Sequence, residues 1–281
     1  MNKLIFVIAI YSFSIVNMLA QETQSPILNS NRVGFTESSR TVTKGGFLVE
    51  GGMQYSFTQQ NANNYDYFNR RIMSLPRLRL SYGITDFMEI LGEGNFSNFN
   101  YKSNTGYTKS NFQQTYSLGL KFNMTKQKGM LPQTAFIISE RWYGNNNATS
   151  YFKTTANLAW SYNLGKHFSL AGNILYSWSE GDYDGLGLGI KLGYNFNDRF
   201  GLYSEWYIYD QFVDFSMVNV GAWYKVSPRF LLSLNVGTNK VTKYDWEHNN
   251  GSFMATIGIS FLLNNPNKKA GKKKKVKRNK K

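Results

Sequence analysis

The chain has 281 residues and a formal net charge of +15, with 16% aromatic and 17% charged residues and no cysteine. Without cysteine there can be no disulfide, no thiolate metal site and no lipidated N-terminal Cys. The positive balance is not spread over the chain. Ten basic residues (Lys268, Lys269, Lys272 to Lys275, Lys277, Arg278, Lys280 and Lys281) fall in an acid-free terminal run, which leaves +5 of the total +15 for everything before it.

Residues 1–20 read as a secretory signal. Lys3 gives the positive start, Leu4 to Ile10 an apolar run, and Ala20 before Gln21 a small-residue cleavage point. Ser12, Ser14 and Asn17 interrupt that run too often for a good spanning helix. Residues 21–44 are polar and irregular and read as a periplasmic lead. From Gly45 to Leu263 the chain alternates apolar and polar residues in segments of 10 to 14 residues, separated by polar connections.

The clearest segment is 186–196. Leu186, Leu188, Ile190, Leu192, Tyr194 and Phe196 share one parity, and Gly187, Gly189, Lys191, Gly193 and Asn195 the other. At helical spacing these sets would scatter around the axis; at period two they sort onto opposite faces of a strand. The same sorting recurs in 152–162, 168–178 and 253–261. Twelve strands are predicted: 46–57, 72–83, 87–98, 113–124, 132–142, 152–163, 167–178, 185–196, 199–209, 214–225, 229–238 and 252–262. Short turns near Thr85-Asp86, Gly165-Lys166, Asn197-Asp198 and Ser227-Pro228, with a longer one over Lys126 to Met130, alternate with polar connections 58–71, 99–112, 143–151, 179–184, 210–213 and 239–251. The expected fold is all-β: an antiparallel up-and-down transmembrane β-barrel in the outer membrane, with an even strand number and both termini periplasmic.

The soluble alternative is a β-sandwich or a lipocalin-like barrel, with the apolar face turned inward. The polar parity here is mostly Gly, Ser, Thr, Asn and Ala, whereas a soluble exterior carries more Lys and Glu. The apolar parity ends repeatedly in aromatic pairs: Tyr55 and Phe57, Trp160 and Tyr162, Tyr176 and Trp178, Tyr194 and Phe196. Aromatic girdles at the lipid boundary account for that placement.

With the apolar parity facing lipid, the strand charges fall on the lumen side: Glu50, Arg77, Arg79, Glu89, Glu93, Lys121, Lys191 and Glu205. A Lys or Arg facing lipid at mid-membrane would cost about 2–4 kcal/mol, which is enough to decide the orientation. Arg141 joins them, although the fifth strand sorts poorly and Glu140 and Arg141 cannot both point inward. A turn centred near residue 85 predicts Arg77 opposite Glu93 and Ser81 opposite Glu89, with Arg79 diagonal to both acids. Such a set is either a charged constriction that selects solutes or a group of ion pairs that rigidifies a narrow lumen. The near balance of signs favours the ion pairs.

The sequence offers no catalytic site and no cofactor or metal site. His167 lies in a periplasmic turn and His248 in the last external connection, so the two cannot share a metal. Ser252 near His248 has no supporting motif. The basic tail lacks aromatic residues for stacking on bases, and an exported address argues against nucleic acid. It reads as a solvated appendage, with lipid headgroups or an anionic periplasmic polymer as candidate contacts.

Several short motifs resemble an outer-membrane family named for the MetA pathway of phenol degradation. Lys44-Gly45-Gly46-Phe47 followed by Glu50-Gly51-Gly52 is similar to its first strand. Ser81-Tyr82-Gly83-Ile84-Thr85-Asp86 with Glu89-Ile90 is similar to its second hairpin, where Arg is common at the position of Ser81 and Arg79 stands two residues earlier on the same face. Asn197 to Tyr203 followed by Glu205 resembles a later strand. The resemblance spans 40–262 and implies a barrel that passes small compounds, hydrophobic ones among them. The expected partners are thus outer-membrane lipid and a small solute. The expected function is a passive channel; the alternative is a structural or adhesive barrel with a closed lumen.

Overall fold

In the computed structural model the described residues are 36–63, 66–103, 108–145, 148–179, 184–210, 215–238 and 251–263. The signal segment, the basic tail and His248 lie outside them. Alternation of side chains builds twelve strands: β1 (Phe47–Asn63), β2 (Asp66–Gly83), β3 (Met88–Ser103), β4 (Thr108–Thr125), β5 (Gln133–Asn145), β6 (Ala148–Leu164), β7 (Phe168–Trp178), β8 (Gly185–Asn195), β9 (Phe200–Asp210), β10 (Phe215–Ser227), β11 (Phe230–Thr238) and β12 (Gly251–Leu262). Each pairs antiparallel with its chain neighbours, and β1 pairs with β12, so the sheet closes on itself and leaves no free edge.

The turns at one end are set by local chemistry. Asn197 Oδ1 accepts from the backbone N–H groups of Arg199 and Phe200 at 2.8 and 2.9 Å, an Asx turn that reverses the chain between β8 and β9. Gly165, at φ +71°, takes the left-handed conformation needed between β6 and β7. At the β2–β3 turn Ile84 and Thr85 both donate to the Met88 carbonyl. That turn uses residues 84–87 and centres on residue 86, one residue later than the sequence suggests. Arg79 therefore lies opposite Glu93, Arg77 opposite Asn95, Ser81 opposite Leu91 and Glu89 opposite Gly83, which corrects the expected register by two residues.

The other end is uneven. A membrane crossing needs about 9–11 residues of strand. Strands β7, β8 and β9 have 11 each, whereas β1 to β4 have 17, 18, 16 and 18. The segments 58–71 and 99–112, expected as loops, instead continue the ladder, with Gln59 opposite Asn69 and Lys102 opposite Thr108. Two tall hairpins thus rise on one side of the external rim.

Burial sorts by parity as the lipid argument requires. Leu186, Leu188, Ile190 and Leu192 on β8 are 42–51% exposed on the outer wall, while Gly185, Gly187 and Gly189 between them are buried. Exposed Leu, Ile, Val and aromatic residues recur on the outer face of β2 and β4 to β12. A continuous apolar exterior of this size belongs in hydrocarbon, not water. The inner face also carries a few apolar residues. Leu91, Ile137 and Ala159 form one small cluster. Leu48, Tyr203 and Leu231 form another, packed by Val42, Trp223 and Leu262.

Candidate functional site

Six inward residues stand side by side along one row of the wall, from β1 to β6: Glu50, Arg79, Glu93, Ser117, Arg141 and Lys153. Arg79 is its centre. It is only 3% exposed, with Nη1 3.1 Å from Glu93 Oε1 and Nε 3.9 Å from Glu50 Oε2. Glu50 is fully buried and also takes a bond from the Ser260 hydroxyl at 3.4 Å. A guanidinium or carboxylate this deep would be prohibitive alone; together the charges neutralise one another. Two inward positions toward the short-turn end, past Leu91 and Gly119, Glu89 on β3 faces Lys121 on β4, both buried. Across the lumen, Lys191 on β8 lies opposite Glu205 on β9, with its Nζ 4.3 Å from the centre of the Tyr203 ring. Arg77 stands apart from Glu93 and bonds Gln54 instead.

The fifth strand resolves cleanly once paired. Arg141 is inward, its Nη1 donating to the Tyr143 hydroxyl at 3.4 Å. Ile138 and Phe136 are exposed on the outer parity, which also carries Glu140, where the carboxylate accepts from the Thr154 hydroxyl. Glu140 is one pair below an outward aromatic row formed by Tyr116, Trp142 and Phe152.

The segment preceding β1 completes the site. Residues 36–46 run through the lumen near the short-turn end and bridge its two charged arcs. Glu37 receives Arg79 Nη1 at 2.9 and 3.0 Å on its two oxygens. The Thr36 N–H donates to Glu205 on the opposite side. Between these arcs the Ser39 and Ser161 hydroxyls are 2.6 Å apart, Gln133 Nε2 donates to the Ser39 carbonyl at 3.4 Å, and the Val42 N–H donates to Glu89 Oε2 at 2.7 Å. The crossing is close enough that a Cβ on Gly83 would collide with the Thr43 carbonyl oxygen, so glycine is required there. Thr36 and Ser39 are both buried. Of the eight sequence-predicted charges, the structure brings Glu50, Arg79 and Glu93 into one cluster and sets Glu89 with Lys121 beside it. Lys191 and Glu205 sit opposite, and Arg77 lies outside. Sequence reasoning missed Glu37, Thr36, Ser39 and Val42. The available signal was Glu37 itself, the one acid between Thr23 and Val49.

Other features take no part. An apolar recess of about 520 Å³ lies on the outer wall from β7 to β11, against Leu192, Leu202, Val220, Ala222 and Leu234, where it faces acyl chains and not the lumen. His167 sits in an exposed turn with Nδ1 2.7 Å from the Asn195 carbonyl. Among the described residues no group of three or more His, Asp or Glu could hold a metal.

No protein-family model matches the chain, and no curated protein matches it in sequence. Solved structures do match in fold. The COG4313 outer membrane channel from Pseudomonas putida F1 is 14% identical, with a TM-score of 0.56 over 80% of this chain and 98% of that one. The transport unit of the autotransporter AIDA-I from Escherichia coli is 9% identical, with a TM-score of 0.53 over 89% and 96%. The translocator domain of the autotransporter NalP from Neisseria meningitidis is 9% identical, with a TM-score of 0.50 over 78% and 89%. At such identities the likeness is one of fold. Taken with the closed ladder and the apolar outer wall, it makes this chain a twelve-stranded outer-membrane β-barrel.

Proposed function

We propose that the protein is a passive outer-membrane channel for small solutes, restricted by its own N-terminal segment. The observation that carries this reading is the occupied lumen: one short stretch of chain touches Arg79 on β2, Ser161 on β6 and Glu205 on β9 at once. Apart from Val42, which packs on the Leu48, Tyr203 and Leu231 cluster, the contacts named for the restraint are polar. It has the character of a part that moves aside, in contrast to a packed apolar core. The wall above it is lined by Arg141, Lys153, Asn157 and other polar side chains, which suits passage of a solvated or amphipathic compound. The resemblance of the hairpin and first-strand motifs to the phenol-pathway family supports small compounds, hydrophobic ones included, as the cargo class.

The same occupied lumen also favours a second reading, a structural barrel that stays closed and acts through its tall external hairpins. Planar-bilayer recording separates the two. Under the channel reading, deletion of residues 21–44 from the mature chain raises unit conductance and the wild type shows rare openings. Folded protein that is silent in both forms refutes the channel and leaves the structural barrel.

A further inference from the structure

Charge inside the barrel changes character with height. Counted from the short-turn ends of their strands, at Phe47, Met88 and Phe200, the inward acids Glu50, Glu89, Glu93 and Glu205 all fall within five residues. Arg79, Lys121 and Lys191 share that depth, four residues from Gly83, Thr125 and Asn195, so both signs mix there. Farther out the inner face carries cations alone. Arg77 is six residues from Gly83, Arg141 eight from Gln133, Lys153 eleven from Leu164, Arg70 thirteen from Gly83 and Lys109 sixteen from Thr125. Among the described residues no inward acid accompanies them over that interval.

The field is most one-sided on β5 and β6. Arg141 and Lys153 are direct ladder partners on the inner face, Lys153 buried and Arg141 half-buried. Side chains at such a pair start about 5 Å apart, and like charges placed so repel. Arg141 donates to a neutral group, the Tyr143 hydroxyl, at 3.4 Å. The next acid along the row, Glu93, is two strands away beyond Ser117 and lies 3.1 Å from Arg79. A bound anion relieves the repulsion, and a carboxylate matches the planar guanidinium fork, with the ammonium as a second point charge. Apolar surface lies on the same inner face. Tyr143 is two residues beyond Arg141. Farther out on β3 stand Phe99 and Tyr101, with the Arg70 guanidinium 5.2 and 5.6 Å from their ring centres.

We propose that the outer half of the lumen is a binding site for small organic carboxylates. Arg141 and Lys153 hold the carboxylate, Tyr143 meets its apolar body, and Arg70 with Phe99 and Tyr101 lines the approach. An inorganic anion would use the cations and leave the rings idle. The site names the cargo class of the channel, and rests on that reading only for what becomes of the bound anion.

The test uses the full mature chain folded in dodecylmaltoside micelles, with benzoate as probe and benzamide as its uncharged counterpart. Saturation-transfer NMR near neutral pH, corrected for protein-free micelles, reads binding without any need for conductance. The wild type should bind benzoate at least about tenfold more tightly than benzamide, the factor expected of one charge-assisted contact. The variant R141Q/K153Q should lose that preference. K153Q alone, which spares Arg141 and its bond to Tyr143, should weaken benzoate about three- to tenfold. K102Q, on the outer parity of β3, should bind as the wild type does. Heat-modifiable gel mobility identifies folded barrels in each preparation. Equal binding of benzoate and benzamide by the folded wild type overturns the proposal. So does an undiminished preference in R141Q/K153Q, or displacement of benzoate by a smaller concentration of inorganic phosphate. Benzoate binding by a barrel that is silent in bilayers upholds the site and counts against the channel.

Discussion

Replacing Glu37 with Gln tests whether the N-terminal segment is a latch. Glu37 meets Arg79 through two bonds at 2.9 and 3.0 Å, with Arg79 3% and Glu37 26% exposed. A charge-assisted bond of this kind contributes about 1.5–3 kcal/mol, and partial exposure of the carboxylate reduces this to about 1–2 kcal/mol. The loss is not larger because Arg79 keeps Glu93 at 3.1 Å and Glu50 at 3.9 Å, so no buried cation is abandoned. At about 1.4 kcal/mol per tenfold, the displaced state of the segment should gain roughly 5- to 30-fold in population. Single-channel recording reads this as open probability at unchanged unit conductance. The reasoning fails if Glu37→Gln leaves open probability unchanged while deletion of 21–44 raises it, because the segment would then be held by something other than this pair.

Three further outcomes are expected. Leu188→Arg puts a cation on the lipid face in the middle of β8 and should cost about 2–4 kcal/mol in denaturant titration of refolding into vesicles. Thr154→Val removes the donor from the lipid-facing Glu140 and should cost about 1–2 kcal/mol, whereas Glu140→Gln should be close to neutral in the same titration. The double variant R77A/R79A removes the cation shared by Glu37, Glu50 and Glu93 and should move the reversal potential under a salt gradient toward cation selectivity.

Much of the barrel was legible because lipid imposes a period of two on every strand and the chain obeys it over most of its length. In β8, Leu186 to Leu192 and the glycines between them determine both strand and orientation with no help from neighbours. β5 is the contrary case. Glu140 and Arg141 compete for the inner face, and the answer comes from pairing with β6, which places Lys153 opposite Arg141 and Thr154 opposite Glu140. The β2–β3 register was missed because four residues, not three, make the turn and centre it on residue 86 in place of 85, and each shift of the centre moves the partner of Arg79 twice as far. The tall hairpins were missed because Asn-rich segments beyond the membrane lose the apolar alternation while keeping the ladder. The lumen segment was hardest. It is short and aperiodic, and its partners are remote in sequence: Thr36 bonds to Glu205 across 169 residues.

The chain has no cysteine, so single cysteines at 186 through 193 would each carry a nitroxide without competing labels. Collision with oxygen, which concentrates in hydrocarbon, against a water-soluble nickel chelate then reports each position in reconstituted vesicles. Positions 186, 188, 190 and 192 should favour oxygen, and 187, 189, 191 and 193 should not. A reversed alternation, or none, would mean that the apolar parity of β8 does not face lipid and that the barrel does not span the membrane in this way.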